Sequence, residues 1–419
     1  MKTQRSGLSV KVPVSGQVWD ESDLIYAQEV LESGQWAYGK YNDLLEESLE
    51  AFVGVRHAIL CNSGSSASLL AVTALTDRAI TERYLRSKDL IVTTALAFPT
   101  TINPIFQNGL IPVFVDVDPH TYNVQLDQLE RALTQYDIRA ILLTHTLGNL
   151  FSVSDVLELT RKFGVWLIED TCDGLGGLWQ GKAAGSFGHM ATLSMYPAHM
   201  LSAGEGGAVF TSNARMAKSL ESYRDWGRAC FCPPGYDNSC GKRFEYQSGT
   251  LPYGYDHKYT YDRIGYNLKM TQIQAALGYA QMERLENFIV RRQHNFQRVY
   301  AFMCLYADWF VLPVSYPEAD PSWFGYPIQI TKQAPFTIVE MIAYLEDRGI
   351  ATRRIFAGNI TRHPAYQALA YIQLGDLLHT NTIMENAFWV GIYPGLSDQQ
   401  IEYMLDTMME FFREYTHDN

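Results

Sequence analysis

Short apolar runs at 58–61, 90–94, 111–117, 140–144, 165–168, 191–195 and 208–211 constrain this chain more than any other feature. Several are continuous rather than alternating, the pattern of strands buried on both faces. Helix-like stretches lie between most of them. Strands buried on both faces need helices above and below, and parallel neighbours need such crossovers. The sequence therefore predicts an α/β domain on a mostly parallel sheet. Upstream, 18–54 carries two helical patterns around a Gly/aromatic break, SGQWAYGKYN.

The stretch 228–262 interrupts this rhythm with about 35 residues of Gly, Pro, Cys and Tyr that have no clear period. Connections beyond roughly 15 residues are uncommon and usually functional or disordered. Its tyrosines and cysteines argue against disorder. Beyond it we expect a long amphipathic helix over about 271–301. Apolar segments at 309–313 and 324–330 follow, then helices near 338–348 and 398–415. This predicts a large domain, 1–302, carrying the inserted loop 228–262, and a smaller α+β domain, 303–419.

The chain has 419 residues and a net charge of −12, without a basic run. That argues against nucleic acid as a partner and leaves anionic ligands to local donors. No window approaches the roughly 18 apolar residues of a membrane span, and MKTQRSGLSVKV lacks a signal-peptide core. The expected location is the cytoplasm, with no membrane partner. The six cysteines are then expected as thiols, metal ligands or catalysts.

CNSGSSASLLAV (61–72) reads as a strand end entering a helix. Gly64 permits close backbone approach, and Ser65 and Ser66 stand where free N–H groups and the helix dipole favour an anion. The same residues also suit an ordinary serine cap. LIEDTCDGLGG (167–177) places Glu169 and Asp170 at the end of a buried strand, where open α/β sheets bind ligands. A carboxylate there can hold a cationic ring nitrogen or merely meet solvent. SMYPAHMLSAGEGG (194–207) reads as strand, tight loop, strand, with His199 near its middle.

The order of these features, with AFPTT (97–101) between the first two, resembles the fold-type I pyridoxal-phosphate enzymes, in particular the nucleotide-sugar aminotransferases. The resemblance runs from about residue 34 to the C-terminus. It implies an aspartate-aminotransferase-like fold whose large domain binds the cofactor. Gly64, Ser65 and Ser66 would hold its phosphate, with help from Ser194. Phe98 would stack on the pyridine ring and Asp170 would pair with the ring nitrogen. GYNLKMTQIQAALG (265–278) looks like the family's GYN segment, in which Asn267 would reach the phosphate of a neighbouring subunit, implying a homodimer.

Where that family carries its cofactor-binding lysine, this chain has His199. Imidazole forms no stable Schiff base, so the cofactor is expected as non-covalently held pyridoxamine phosphate. Histidine, with a reference pKa of ~6.5 against ~10.4 for lysine, suits a base near neutral pH. The substitution resembles the pyridoxamine-phosphate-dependent 3-dehydrases of 4-keto-6-deoxy sugars, one form of which carries an iron–sulfur cluster.

Cys230, Cys232 and Cys240 lie inside the long loop, and Cys172 lies far upstream. Their spacing, C-x57-C-x-C-x7-C, matches the 2Fe–2S ligand pattern of the cluster-bearing form. DWGR (225–228) and YGYDHKYTY (253–261) also look like that branch. Four thiolates equally suit zinc. Cys172 is two residues from Asp170, so their Cα atoms lie within roughly 7 Å, and a cluster on Cys172 would sit near the ring.

The resemblance implies C3 deoxygenation of an NDP-4-keto-6-deoxyhexose, with CDP the first choice of nucleotide. His199 would be the base, Tyr196 or His199 would protonate the leaving hydroxyl, and electrons would come from a flavin and iron–sulfur reductase using NADH. RRIFAGNITRHP (353–364) offers Asn359 and Arg362 for the diphosphate or sugar, or forms a solvated turn. The alternatives are a sugar aminotransferase, a cluster-free hydrolytic 3-dehydratase, and a catalytically dead relative with a zinc-held loop.

Overall fold

The computed structural model describes residues 10–80, 82–232 and 237–416. Its main sheet has eight strands, in the order His57–Cys61, Gly207–Thr211, Met190–Ser194, Trp166–Asp170, Ile138–Thr144, Leu90–Thr94, Ile111–Val115 and Ile372–Gln373. Gly207–Thr211 runs antiparallel to both its neighbours, and the other pairs are parallel. The connection 195–206 contains no helix, so the chain returns beside the strand it has just left. Elsewhere helices such as Gly64–Leu75, Pro99–Gln107 and Val153–Phe163 make the crossovers and cover the apolar faces. The two-residue strand Ile372–Gln373 comes from the C-terminal region and is too short to leave a pattern in sequence.

The long helix expected over 271–301 is two helices, Gln272–Met282 and Leu285–Met303. They meet at Arg284, whose guanidinium pairs with Asp20 and Asp23. Gln281 also donates to Asp23, at 2.7 Å. The break is a docking point for the N-terminal helix Glu21–Ser33. Apolar residues continue on both sides of it, which hides it from a periodicity reading.

A second core forms around an antiparallel sheet of Phe310–Val311, Gly325–Ile330, Ala387–Gly391 and Thr352–Arg353. Helices Ile338–Asp347 and Asp398–Thr416 pack on it through Met341, Leu345, Met404 and Phe412. Phe296, Val299 and Met303 of the preceding helix join this core, as does Val12 from the N-terminal segment. No helix among the described residues is long and apolar enough to cross a membrane.

In the described part of the loop 228–262, the one regular element is the 3-10 turn His257–Tyr259. The loop's two ends are clamped together by bridges of Asp225 with Asn267 and Arg228 with Tyr261. At its start Gly227 has φ +84°, and a Cβ there would lie 2.0 Å from the Arg263 carbonyl oxygen. The residue is glycine because two backbones cross at that point. Replacing it, Gly227→Ala, is expected to loosen the clamp and speed limited proteolysis within 228–262.

Adjacent carboxylates on Trp166–Asp170 face opposite sides of the sheet. Glu169 is fully buried and accepts from the amides of Gly185, Phe187 and Gly188. Its Oε2 also lies 3.1 Å from His145 Nε2. Removing it would strand buried donors, so Glu169→Ala should cost about 3–5 kcal/mol, read as a lowered urea midpoint.

Candidate functional site

The second carboxylate, Asp170, emerges at the C-terminal end of its strand and is 5% exposed. It accepts hydrogen bonds from Thr101 Oγ1 at 2.7 Å, Thr192 Oγ1 at 3.4 Å and the Cys172 amide at 3.2 Å. Thr192 belongs to the neighbouring strand. Thr101 lies in the first turn of Pro99–Gln107, a helix whose N-terminal boundary residue is Phe98. One short element thus supplies both a donor to the carboxylate and an aromatic ring at the rim. The Phe98 and Tyr196 side chains are each 51% exposed there.

The start of Gly64–Leu75 is built by close packing. A Cβ on Gly64 would fall 2.4 Å from Ser194 Cβ, and one on Gly207 would fall 2.4 Å from the Ser63 carbonyl oxygen. The two glycines bring the helix start against both strand ends. Ser63 caps the helix by accepting from the Ser66 amide, and Ser66 Oγ donates to Asn62 at 2.6 Å. Ser65 is exposed on the first turn. Ser194 Oγ accepts from the Tyr196 amide at 3.4 Å. Asn267 accepts from Lys269 Nζ at 2.6 Å, and the next carbonyl, that of Leu268, receives the Asn62 amide.

His199 sits in the turn between the antiparallel strands, its amide donating to the Tyr196 carbonyl at 2.9 Å. Its side chain is 18% exposed, with Nδ1 3.4 Å from Asp173 Oδ1. Its ring centroid is 5.3 Å from that of Phe324. Burial pushes the Asp173 carboxyl above its ordinary range, while His199 opposes that shift. Behind both lies Arg292, fully buried, which donates to the carbonyls of Phe324 (2.9 Å) and His199 (3.3 Å). Burial lowers Arg292 to about 10, against the attraction of Asp173, so it remains charged at neutral pH. A buried cation therefore backs the histidine–aspartate pair and ties the His199 turn to the chain at Phe324.

The segment 353–364 reaches the same rim: the amides of Ala357 and Ile360 donate to the carbonyls of Ala97 and Ala95, beside Phe98. Within it Asn359 is buried. It accepts from the amide and hydroxyl of Thr361 and donates to Asn381. Arg362 pairs with Glu385 at 2.7 Å.

The cysteines fall into two places. Burial and the neighbouring Asp170 carboxylate push the Cys172 thiol well above its ordinary value. In the loop, the Cys232 amide approaches Cys230 Sγ at 3.5 Å, and Cys240 lies within interaction range of both. Burial opposes ionisation of Cys232, but hydrogen bonds from Ser239 and Cys240 bring it down to about 7. Among the described residues, no three His, Cys, Asp or Glu side chains converge as a metal-binding group. The four cysteines with the cluster spacing are thus not gathered within one chain. Cys61 is buried and raised to about 12, and Cys304 is exposed.

Thr101, Thr192, Asp173, Arg292 and Phe324 were not singled out from sequence. Arg292 did leave a signal: it falls on the buried stripe Leu285, Phe288, Arg292, Phe296, Val299, where a charge needs a reason. Thr101 lies inside AFPTT, but nothing in sequence aims a threonine at a distant aspartate.

Known proteins show what shares this arrangement. The chain is 47% identical over 97% of its length to the lipopolysaccharide biosynthesis protein RfbH of Salmonella typhimurium, covering 93% of that protein. It is 44% identical over 96% of its length to dTDP-4-dehydro-2,6-dideoxy-D-glucose 3-dehydratase of Saccharopolyspora spinosa, covering 87% of it. A crystal structure of GDP-4-keto-6-deoxymannose-3-dehydratase with a trapped PLP–glutamate geminal diamine superposes with a TM-score of 0.82. It is 25% identical, and the match covers 94% of this chain and 99% of that one. The family model described as DegT/DnrJ/EryC1/StrS aminotransferase matches residues 18–409. The chain therefore belongs to the DegT/DnrJ/EryC1/StrS aminotransferase family, and its large sheet is that of a pyridoxal-phosphate-enzyme fold.

Proposed function

We propose that this protein is a pyridoxamine-phosphate-dependent 3-dehydrase of an NDP-4-keto-6-deoxyhexose, with CDP favoured, acting in deoxysugar biosynthesis. The observation that carries the reading is the imidazole of His199 at the lysine position, held between Asp173 and Phe324 and close to the strand end that presents Asp170. The two relatives named as 3-dehydratases support it.

The residues suit the cofactor chemically. Asp170, buried and hydrogen-bonded by two hydroxyls, can hold a protonated ring nitrogen. Phe98 offers an open face for stacking. The first turn, with Ser194 beside it, offers the amides of Gly64 and Ser65 and the Ser65 hydroxyl to a phosphate, the Ser66 amide being taken by the Ser63 cap. Asn267 of a neighbouring subunit is the family's further phosphate contact. Once bound, pyridoxamine phosphate supplies an amine for the C4 ketone and a ring that takes up an electron pair.

The protein's share of the chemistry follows from its side chains. Asp170 keeps the ring nitrogen protonated. His199 takes the proton from the cofactor's C4′ carbon, and Asp173 orients its imidazole and favours the charge it acquires. Tyr196, or His199 after accepting that proton, delivers one to the C3 hydroxyl, which leaves as water. Of the two proposed diphosphate or sugar contacts, Arg362 keeps a half-exposed guanidinium, paired with Glu385. Asn359 uses its side chain within its own turn.

Brought together, Cys172, Cys230, Cys232 and Cys240 would supply the four thiolates that suit a 2Fe–2S cluster. In this reading two electrons come singly from a flavin and iron–sulfur NADH-dependent reductase, and the enzyme works as a homodimer. A cluster-free hydrolytic dehydratase is the second reading, favoured by the separation of Cys172 from the loop cysteines in one chain.

Anaerobic iron and sulfide analysis with product mass analysis separates them. Two irons and two sulfides per chain, and a keto sugar one oxygen poorer only when a reductant is supplied, are expected. An aminosugar formed from an amino donor would sink the dehydrase reading. His199→Asn should retain pyridoxamine phosphate, followed by its absorption band, while kcat falls about 10²–10⁴-fold.

A further inference from the structure

The cysteines are separated by the geometry of the sheet. Cys172 follows the strand Trp166–Asp170, the fourth strand in from the edge formed by His57–Cys61. The loop cysteines lie at that edge. Arg224, four residues before Arg228, donates to the Leu60 carbonyl, and Glu46 receives the Leu60 amide. Cys230 and Cys232 line a cavity of about 280 Å³ together with Glu46 and Arg224. Three strand spacings separate edge and site, about 14 Å. Thiolates sharing one small inorganic centre must lie within a few ångströms of each other.

The loop is also held where it is. Its base is fixed by the Asp225–Asn267 and Arg228–Tyr261 bridges and by the Ala229 amide on the Thr260 carbonyl. Swinging the cysteines across the sheet would break this base. Meanwhile the loop and the chain just after it expose Phe231 (59%), Phe244 (57%), Tyr253 (75%) and Ile264 (96%). Such a collection of exposed apolar side chains marks a surface that another protein covers. After the Asp170 strand end, Cys172 is only partly buried, and Phe98 and Tyr196 are exposed.

We propose that each cluster is held between two copies of this chain, by Cys172 of one copy and the three loop cysteines of the other. The inference rests on the cluster reading above and deepens it: the redox centre is incomplete in a single chain. A second copy is the fitting occupant of the aromatic loop surface because it brings the missing fourth thiolate. The arrangement places the centre two residues from the Asp170 that faces the ring, and it makes cluster retention depend on assembly.

Mixed dimers test this. One chain carries Cys172→Ser, and the other carries Cys230→Ser, Cys232→Ser and Cys240→Ser together. Co-expressed with different tags and purified on both, they are reconstituted anaerobically with ferrous iron and sulfide. If the ligands come from two chains, the mixed dimer has one intact set. It should then bind two irons and two sulfides per dimer with a visible band bleached by dithionite, while each parental homodimer shows no such band. If the ligands come from one chain, the mixed dimer has no intact set, and absence of the band overturns the proposal. Repeating the pairing with Cys240→Ser alone in the second chain guards against misfolding of the triple variant. Wild-type protein that takes up no iron and sulfide would instead overturn the cluster reading itself. Wild-type protein that loads the cluster while sedimenting as a monomer would overturn only the two-chain arrangement.

Discussion

Two neighbouring carboxylates on one buried strand hold the molecule together and arm it. Glu169 and Asp170 are adjacent, so the pleat sends them to opposite faces of the sheet. Glu169 gathers the amides of the turn 185–188 and the ring of His145, and so fixes the path into the next strand. Asp170 gathers Thr101 and Thr192 and faces the open end of the sheet. A buried anion is tolerable only with such partners. The requirement that one be satisfied by the fold leaves the other, at the strand end, for the site.

The histidine shows how a small change in chemistry is supported by a larger setting. Asp173 lies beside its Nδ1, Phe324 beside its ring, and Arg292 beneath its carbonyl. Arg292 also binds the Phe324 carbonyl, so one guanidinium sets the distance between the turn that carries His199 and the strand entry at Phe324. Burying that cation is costly, and Asp173 offsets part of the cost.

Much of the fold was legible because burial on both faces writes itself into sequence as continuous apolar runs. The strands at 90–94, 138–144, 166–170 and 190–194 could be read in this way. The break at Arg284 could not, because the apolar stripe passes through it and its cause is Asp20 and Asp23, some 260 residues upstream. The last strand of the main sheet, Ile372–Gln373, was hidden because two residues carry no period. The places of Asp170 at a strand end and His199 in the loop between two strands were legible from the apolar runs around them. Gly64 was read as room for a ligand, yet the space its missing Cβ leaves is taken by Ser194.

By itself the sequence determined the layered architecture, the strand-end carboxylate, a histidine in the tight loop between two strands and the spacing of four cysteines. These are properties of local pattern and residue chemistry, and they need no third dimension. Only the tertiary structure decided that Thr101 and Thr192 share Asp170, that Asp173 and Arg292 stand behind His199, and that Asn359 is tied to Asn381. It also decided that Cys172 and the loop cysteines lie on different parts of the sheet. The reason is common to all four: each depends on which strands become neighbours, and strand order is set by crossovers between residues far apart in the chain.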